Sequence, residues 1–330
     1  MASALTEAPP DDLDVPDLTG RGRGAWGDVI FKGVAVSAAM AVLVILAGIA
    51  LSTTQKAWPA FHHQGFSFFT STNWNPNTGH YGALSFIYGT VVVSAIAIIL
   101  AVPISIGIAL FITELAPRRI RGGVRTVMDV LAAVPSVVFG LWGFLVLMPH
   151  LKSIYNSISS ALSGVPVVRS LFGPSLSGGS FMTAGLILAL MITPIISSIA
   201  REVIQTVPVN DRNGAMALGA TRWEMIRGVI FPHSMGGLVG AVMLGLGRAR
   251  GETIAVALVI GASPHIVANL FDQGEAMPSV IARNLNESAG TYRAALIALG
   301  VTLFVLTIAI NVSARRLVAV VDRRVQGTAA

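Results

Sequence analysis

The chain has 330 residues, of which 54% are hydrophobic and only 12% charged, with a mean hydropathy of +0.74 and a formal net charge of +6. Soluble domains carry roughly 25% charged residues, so this composition excludes a water-solvated globular fold and predicts an all-α integral membrane protein whose apolar residues form spans. The absence of cysteine excludes disulfides, thiolate metal sites and cysteine nucleophiles, and in a membrane protein the basic excess reads as positive cytoplasmic loops rather than nucleic-acid binding.

Residues 1–28 combine three prolines (Pro9, Pro10, Pro16) with Glu7, Asp11, Asp12, Asp14 and Asp17. Such a segment cannot bury enough apolar surface to order itself, and a disordered cytoplasmic tail is expected. It has no basic start, apolar run and cleavage site, so it does not read as a secretory signal. One permease domain is expected over 29–318, followed by a short cytoplasmic tail at 319–330.

Apolar runs long enough to cross a hydrocarbon core, which takes ~20 helical residues, lie near 31–51, 84–112, 126–148, 181–201, 236–262 and 294–314. Pro103, Pro135 and Pro194 fall inside these runs and are tolerated where neighbouring helices satisfy the freed backbone groups. With the N-terminus inside, the inner segments hold 15 Lys and Arg and the outer ones 5, while Arg248 and Arg250 lie within a span. That imbalance puts both ends in the cytoplasm. The loops at 52–83, 149–180 and 263–293 then face outward and the 202–235 loop faces inward.

In that inner loop, Ala215–Leu218 is expected to form a short helix that Gly219 ends. Thr221-Arg222-Trp223-Glu224 is a capping box that starts a second helix. Trp223, Ile226 and Ile230 share one face until Pro232 stops it. An amphipathic helix of this kind either lies on lipid or docks in a groove of another protein.

The next span contains "GLGRARGETIAVALVIG" at 245–261, with Arg248, Arg250 and Glu252 between apolar pieces each too short to cross alone. The expectation is one continuous crossing with three charges near its middle. At ~2.5–3.5 kcal/mol each, the three cost ~8–10 kcal/mol if they face lipid, more than the neighbouring apolar residues recover. They must face inward. Helical spacing makes Arg248 and Glu252 neighbours on one face, with Arg250 turned ~200° from each. One reading is a buried ion pair that ties helices together. The other is a charged lining for a solute path, net positive by one and suited to an oxyanion, since the guanidinium fork matches phosphate or carboxylate. Glu252 then selects a solute that still carries a proton, as monohydrogen phosphate does and sulfate does not. Gly245, Gly247 and Gly251 space as GxGxxxG, not the dinucleotide fingerprint; with Gly236, Gly237 and Gly240 they read as flats for close helix approach.

The stretch "NGAMALGATRWEMIRGVIFP" at 213–232 resembles the EAA loop of ABC importer permeases, with Ala215, Gly219, Val229, Phe231 and Pro232 on the pattern, Asn213 where the acid is usual and Gly214 where the first Ala is. "FFTSTNWNP", "YGALSFIYGT", "FITELAPRRIRG", "LAAVPSVVFGLWG" and "GLGRARGETIAV" are similar, in order, to the C-type permease family of phosphate importers (PstC-like). The resemblance covers most of 30–316 and implies a MetI-like bundle of about six helices that translocates inorganic phosphate across the cytoplasmic membrane. It puts Arg248 and Glu252 on the family's charged pair, and Arg250 where that family carries an apolar residue. It assigns ATPase coupling to Ala215, Gly219, Thr221, Trp223, Glu224, Ile226 and Pro232. A permease for sulfate, molybdate or a phosphonate, or a secondary anion transporter, remains the alternative.

No segment matches GxxxxGK[ST], so the chain is expected to be no enzyme and to bind no cofactor. The partners implied are an A-type second permease chain, two copies of an ATP-binding subunit and an extracytoplasmic phosphate-binding protein. The six histidines lack metal-ligand spacing.

Overall fold

The computed structural model describes residues 25–164 and 166–327. Six of its helices are long and apolar enough to cross a membrane. The residues expected to form the acidic tail lie outside the description up to 24, and helix begins at Ala25. Among the described residues, those up to Ser52 form one compact unit and those from Thr53 onward another.

Helix α1 spans Ala25–Gln64 and contains Pro59. Within the second unit, the single turn α2 (Ser67–Thr70) leads into a two-stranded hairpin, β1 (Trp74–Asn75) paired antiparallel with β2 (His80–Tyr81). Its aromatic side chains give these few residues a core. The ring of Trp74 stands edge-on to Tyr81 and Phe86, with centroids 5.2 and 4.9 Å away.

Helix α3 (Leu84–Leu110) continues into a π-helical turn at Phe111–Leu115. Then come α4 (Arg118–Ala133) and α5 (Ser136–Trp142), a second π-helical turn at Gly143–Leu147, and α6 (Met148–Ala161). The span expected at 126–148 is therefore misplaced: the crossing candidate is 136–161. Pro135 is the reason. It disfavours helix at the residue before it, and Val134 is extended, so α4 stands as a separate amphipathic helix.

After α7 (Pro166–Leu171), α8 (Phe181–Gln205) is the most buried span. It packs along α3 so closely that a Cβ on Gly185 would lie 2.4 Å from Ile96 Cγ2. Pro194 lies inside α8, and Ser105 of α3 donates a 3.2 Å hydrogen bond to the carbonyl of the adjacent Thr193.

Helix α9 (Val209–Ala217) and the short α10 (Arg222–Met225) follow, then a third π-helical turn at Ile226–Ile230 and α11 (Phe231–Gly251). Pro232 does not stop a loop helix, as expected from sequence; residues 222–251 form one crossing candidate. The π turn ends with Phe231 N–H bonded to Ile226 O, and Pro232 opens α11, where a missing N–H is tolerated. Of the glycines read as flats, Gly237 and Gly245 face Val203 and Ile196 of α8, whereas Gly240, Gly247 and Gly251 have nothing within 4 Å of a would-be Cβ. Helices α12 (Ile254–Val259), α13 (Met277–Asn284) and α14 (Gly290–Gly327) complete the chain.

Candidate functional site

The three charges at 248–252 do not lie in the middle of one helix. Helix α11 ends at Gly251, Glu252 is extended (φ −69°, ψ 126°), and α12 starts at Ile254. Thr253 Oγ1 donates to Gly251 O at 3.0 Å, and Glu252 Oε1 accepts from Ala255 N–H at 3.4 Å. The carboxylate is thus turned forward to the first turn of α12. The pair expected from helical spacing, Arg248 with Glu252, is not among the ion pairs of the described residues. Arg248 is instead exposed, on the α11 face that also exposes Leu244.

Arg250, whose position fitted the resemblance least, is the buried member, at 5% exposure. Its Nη1 has no hydrogen-bond acceptor. Arg250 and Glu252 line a narrow cleft with Thr90 and Ser94 of α3, and with Ala276 and Pro278 from the segment entering α13. The cleft volume is about 10 Å³, room for about one water. Thr90 Oγ1 donates to Phe86 O at 2.8 Å and accepts from Met277 N–H at 3.0 Å, while Ser94 Oγ donates to Thr90 O at 2.7 Å. Both hydroxyl protons are therefore committed to the α3 backbone, and the guanidinium is the free donor of the cleft.

The segment 275–278 that covers this cleft is itself held down. Glu275 pairs with Arg283, whose Nη1 donates to Gly261 O at 3.0 Å. The Glu275 carbonyl lies so near Gly89 of α3 that a Cβ there would be 2.0 Å away. Burial pushes the Glu275 carboxyl above its ordinary range, opposed by the charge and hydrogen bond of Arg283.

In the 202–235 segment, the capping box exists as expected: Thr221 Oγ1 accepts from Glu224 N–H, and Glu224 Oε2 accepts from Thr221 N–H at 2.8 Å. Gly219 takes φ +88°, the left-handed C-terminal stop. The expected partner-facing stripe does not survive intact. Trp223 is 62% exposed, but Ile226 and Ile230 are buried in a core with Ile204, Val207 and Leu238, and Ala215 packs against it. A helical wheel puts these residues on one face, yet that face is turned into the chain itself. The exposed large apolar residues are Val209, Met216, Leu218 and Trp223.

Sequence reasoning missed a second cluster of charges. Arg212 of α9 donates from Nη1 to Glu114 Oε1 at 2.7 Å, across 98 residues of sequence, and from Nη2 to Ile204 O. Glu114 sits inside the π turn that ends the 84–115 span. Arg222 Nη1 reaches Glu114 O at 3.5 Å and Arg121 Nε donates to Ala116 O at 2.8 Å. Three cations from three elements meet the negative end of one helix. The sequence signal was a lone acid at the end of an apolar run.

The family pattern described as "Binding-protein-dependent transport system inner membrane component" matches residues 101–327. The chain is 43% identical to the phosphate transport system permease protein PstC of Mesorhizobium japonicum, over 98% of this chain and 99% of that one. It is 42% identical to the protein of the same name from Xylella fastidiosa, over 92% and 94%. Among solved structures, a bacterial ABC transporter involved in the import of the acidic polysaccharide alginate aligns with a TM-score of 0.57 at 16% identity, covering 89% of this chain and 98% of that one; it shares the fold.

Proposed function

The chain belongs to the family of binding-protein-dependent transport system inner membrane components, among the PstC-type permeases, and from that premise we propose that it is the permease subunit through which an ATP-driven importer moves inorganic phosphate across the cytoplasmic membrane. The observation that carries the solute path is Arg250: a buried guanidinium with an unsatisfied Nη1, beside Glu252, where a membrane helix is broken. Ionisable groups inside a membrane are costly unless they face a partner or a path. An oxyanion supplies the missing acceptor, and the Glu252 carboxylate accepts a hydrogen bond from the hydroxyl that monohydrogen phosphate retains.

The cleft is too small for phosphate as it stands, so transport requires the cover at 275–278 to move away from α3 and α11. This fits alternating access, in which each state is favoured by differential contacts rather than by tight binding alone. Arg248 lies on the exposed face of α11 with Leu244. That face suits an A-type second permease chain, which closes the path and brings Arg248 to its lining.

ATP hydrolysis belongs to two copies of a separate ATP-binding subunit. Met216, Leu218 and Trp223, around the Gly219 stop, form the apolar knob that docks on it. Ala215, Thr221, Glu224, Ile226 and Pro232 shape that knob from behind. An extracytoplasmic binding protein delivers phosphate to the opposite side. The Lys and Arg bias puts α9 and both termini in the cytoplasm.

The test is uptake by the complete complex in proteoliposomes. Phosphate accumulates only with ATP and binding protein, and sulfate does not compete. Glu252→Gln narrows the preference for phosphate over sulfate. Uptake that ignores ATP and collapses with the proton gradient identifies a secondary transporter instead, and equal competition by sulfate removes the phosphate assignment.

A further inference from the structure

The Glu114–Arg212 pair takes no part in the solute path, yet it joins the two segments that any ATP-driven motion must connect. Helix α9 has no fully buried residue, and within it only the small side chain of Ala215 packs against the neighbouring apolar core, so apolar packing fastens it to the bundle weakly. Arg212 does: its fork grips the Glu114 carboxylate with one nitrogen and the Ile204 carbonyl at the end of α8 with the other. Both partners are largely enclosed, with side-chain exposures of 17% for Arg212 and 10% for Glu114.

A buried ion pair adds little net stability over an apolar replacement, which leaves its geometry as the reason to look further. The acidic end sits in a π-helical turn, a feature concentrated at functional sites. The backbone of that turn is also held by Arg222 from the capped helix and by Arg121 from α4. A displacement of α9 therefore pulls on the end of the 84–115 span through Glu114, while the second nitrogen of Arg212 holds the end of α8. That same span carries Thr90 and Ser94 to the Arg250 cleft.

We propose that Glu114 and Arg212 form the strut that transmits movement of α9 to the span lining the solute cleft, acting as positioning residues for transport. The inference rests on the reading that α9 and the neighbouring knob face the ATP-binding subunits.

The experiment measures phosphate imported per ATP hydrolysed by the reconstituted complex, for the wild type, E114Q, R212K and the double variant E114Q/R212Q. Lysine keeps the charge but not the fork. The strut predicts that the ratio falls by roughly fivefold or more in each variant. It also predicts that the double variant stays within about twofold of the singles, because the strut is the one contact that both residues share. The double variant leaves no unpaired charge, so it decides the question where a single variant fails to assemble. An unchanged ratio, whether at wild-type rates or with uptake and hydrolysis falling together, overturns the strut and leaves the importer reading standing. A wild-type complex that imports no phosphate with ATP overturns that reading, and the strut with it.

Discussion

Replacing Arg250 with methionine is expected to push stability and activity in opposite directions. The guanidinium is 5% exposed and its Nη1 lacks an acceptor. An unsatisfied buried donor costs about 1–3 kcal/mol, more when charged, and an arginine at mid-membrane about 2.5–3.5 kcal/mol on the insertion scale. Methionine has similar reach, fills irregular gaps and needs no acceptor. Arg250→Met should therefore stabilise the unliganded complex by about 1–3 kcal/mol, at about 2–4 °C per kcal/mol in melting temperature. A hydrogen bond to a charged group contributes about 1.5–3 kcal/mol, so losing this donor to phosphate lowers uptake efficiency about tenfold to a hundredfold. The assay pairs thermal unfolding of the purified complex with initial-rate uptake in proteoliposomes, with Arg250→Lys as the charge-preserving control. A melting temperature that drops while uptake stays at the wild-type rate refutes the reasoning, because it makes Arg250 a structural residue with a partner of its own.

Gly185→Ala should destabilise the complex by about 1–3 kcal/mol through overpacking, since the new Cβ meets Ile96 of α3 at 2.4 and 2.7 Å; Gly107→Ala, with nothing within 4 Å, should cost nothing, and equal losses in thermal melts would show that the α3–α8 approach is not tight. Thr221→Ala removes the cap at the start of the 222–251 helix and should cost about 1 kcal/mol, read as faster amide exchange at Arg222–Met225. Burial raises the Glu275 carboxyl above its ordinary value of 4.5, so the folded state holds that proton more firmly than the unfolded chain, and stability falls as pH rises from about 4.5 through the folded value. Glu275→Gln should flatten that slope in melts recorded across this range, and an identical slope in both proteins would remove Glu275 as its source.

Spans were legible because twenty apolar residues have few other uses, and the membrane fold followed from composition. Local chemistry was legible too: the Thr221–Glu224 box and the Gly219 stop each depend on residues within one helical turn. The readings failed where a helix was assumed to be continuous. Arg248 and Glu252 are neighbours only on an unbroken α11; the break at Gly251-Glu252-Thr253 turns the carboxylate to α12, while Arg248 stays on the exposed face of α11. The same assumption placed a span across Pro135, and the opposite one ended a helix at Pro232. Ile226 was given to a partner because periodicity identifies an apolar face without saying what covers it. The Glu114–Arg212 pair was out of reach for a different reason: its members are 98 residues apart, and nothing local in either stretch specifies the other.

A π-helical turn holds more residues than an α turn, so side chains after it are rotated by about 100° per extra residue relative to those before it. A helical wheel drawn through 136–161, or through 222–251, therefore superimposes two registers that do not share an origin. Any remodelling of these helices by wheel or heptad arithmetic must restart its count after Leu147 and after Ile230, or it will paint the lipid-facing and protein-facing stripes on the wrong sides.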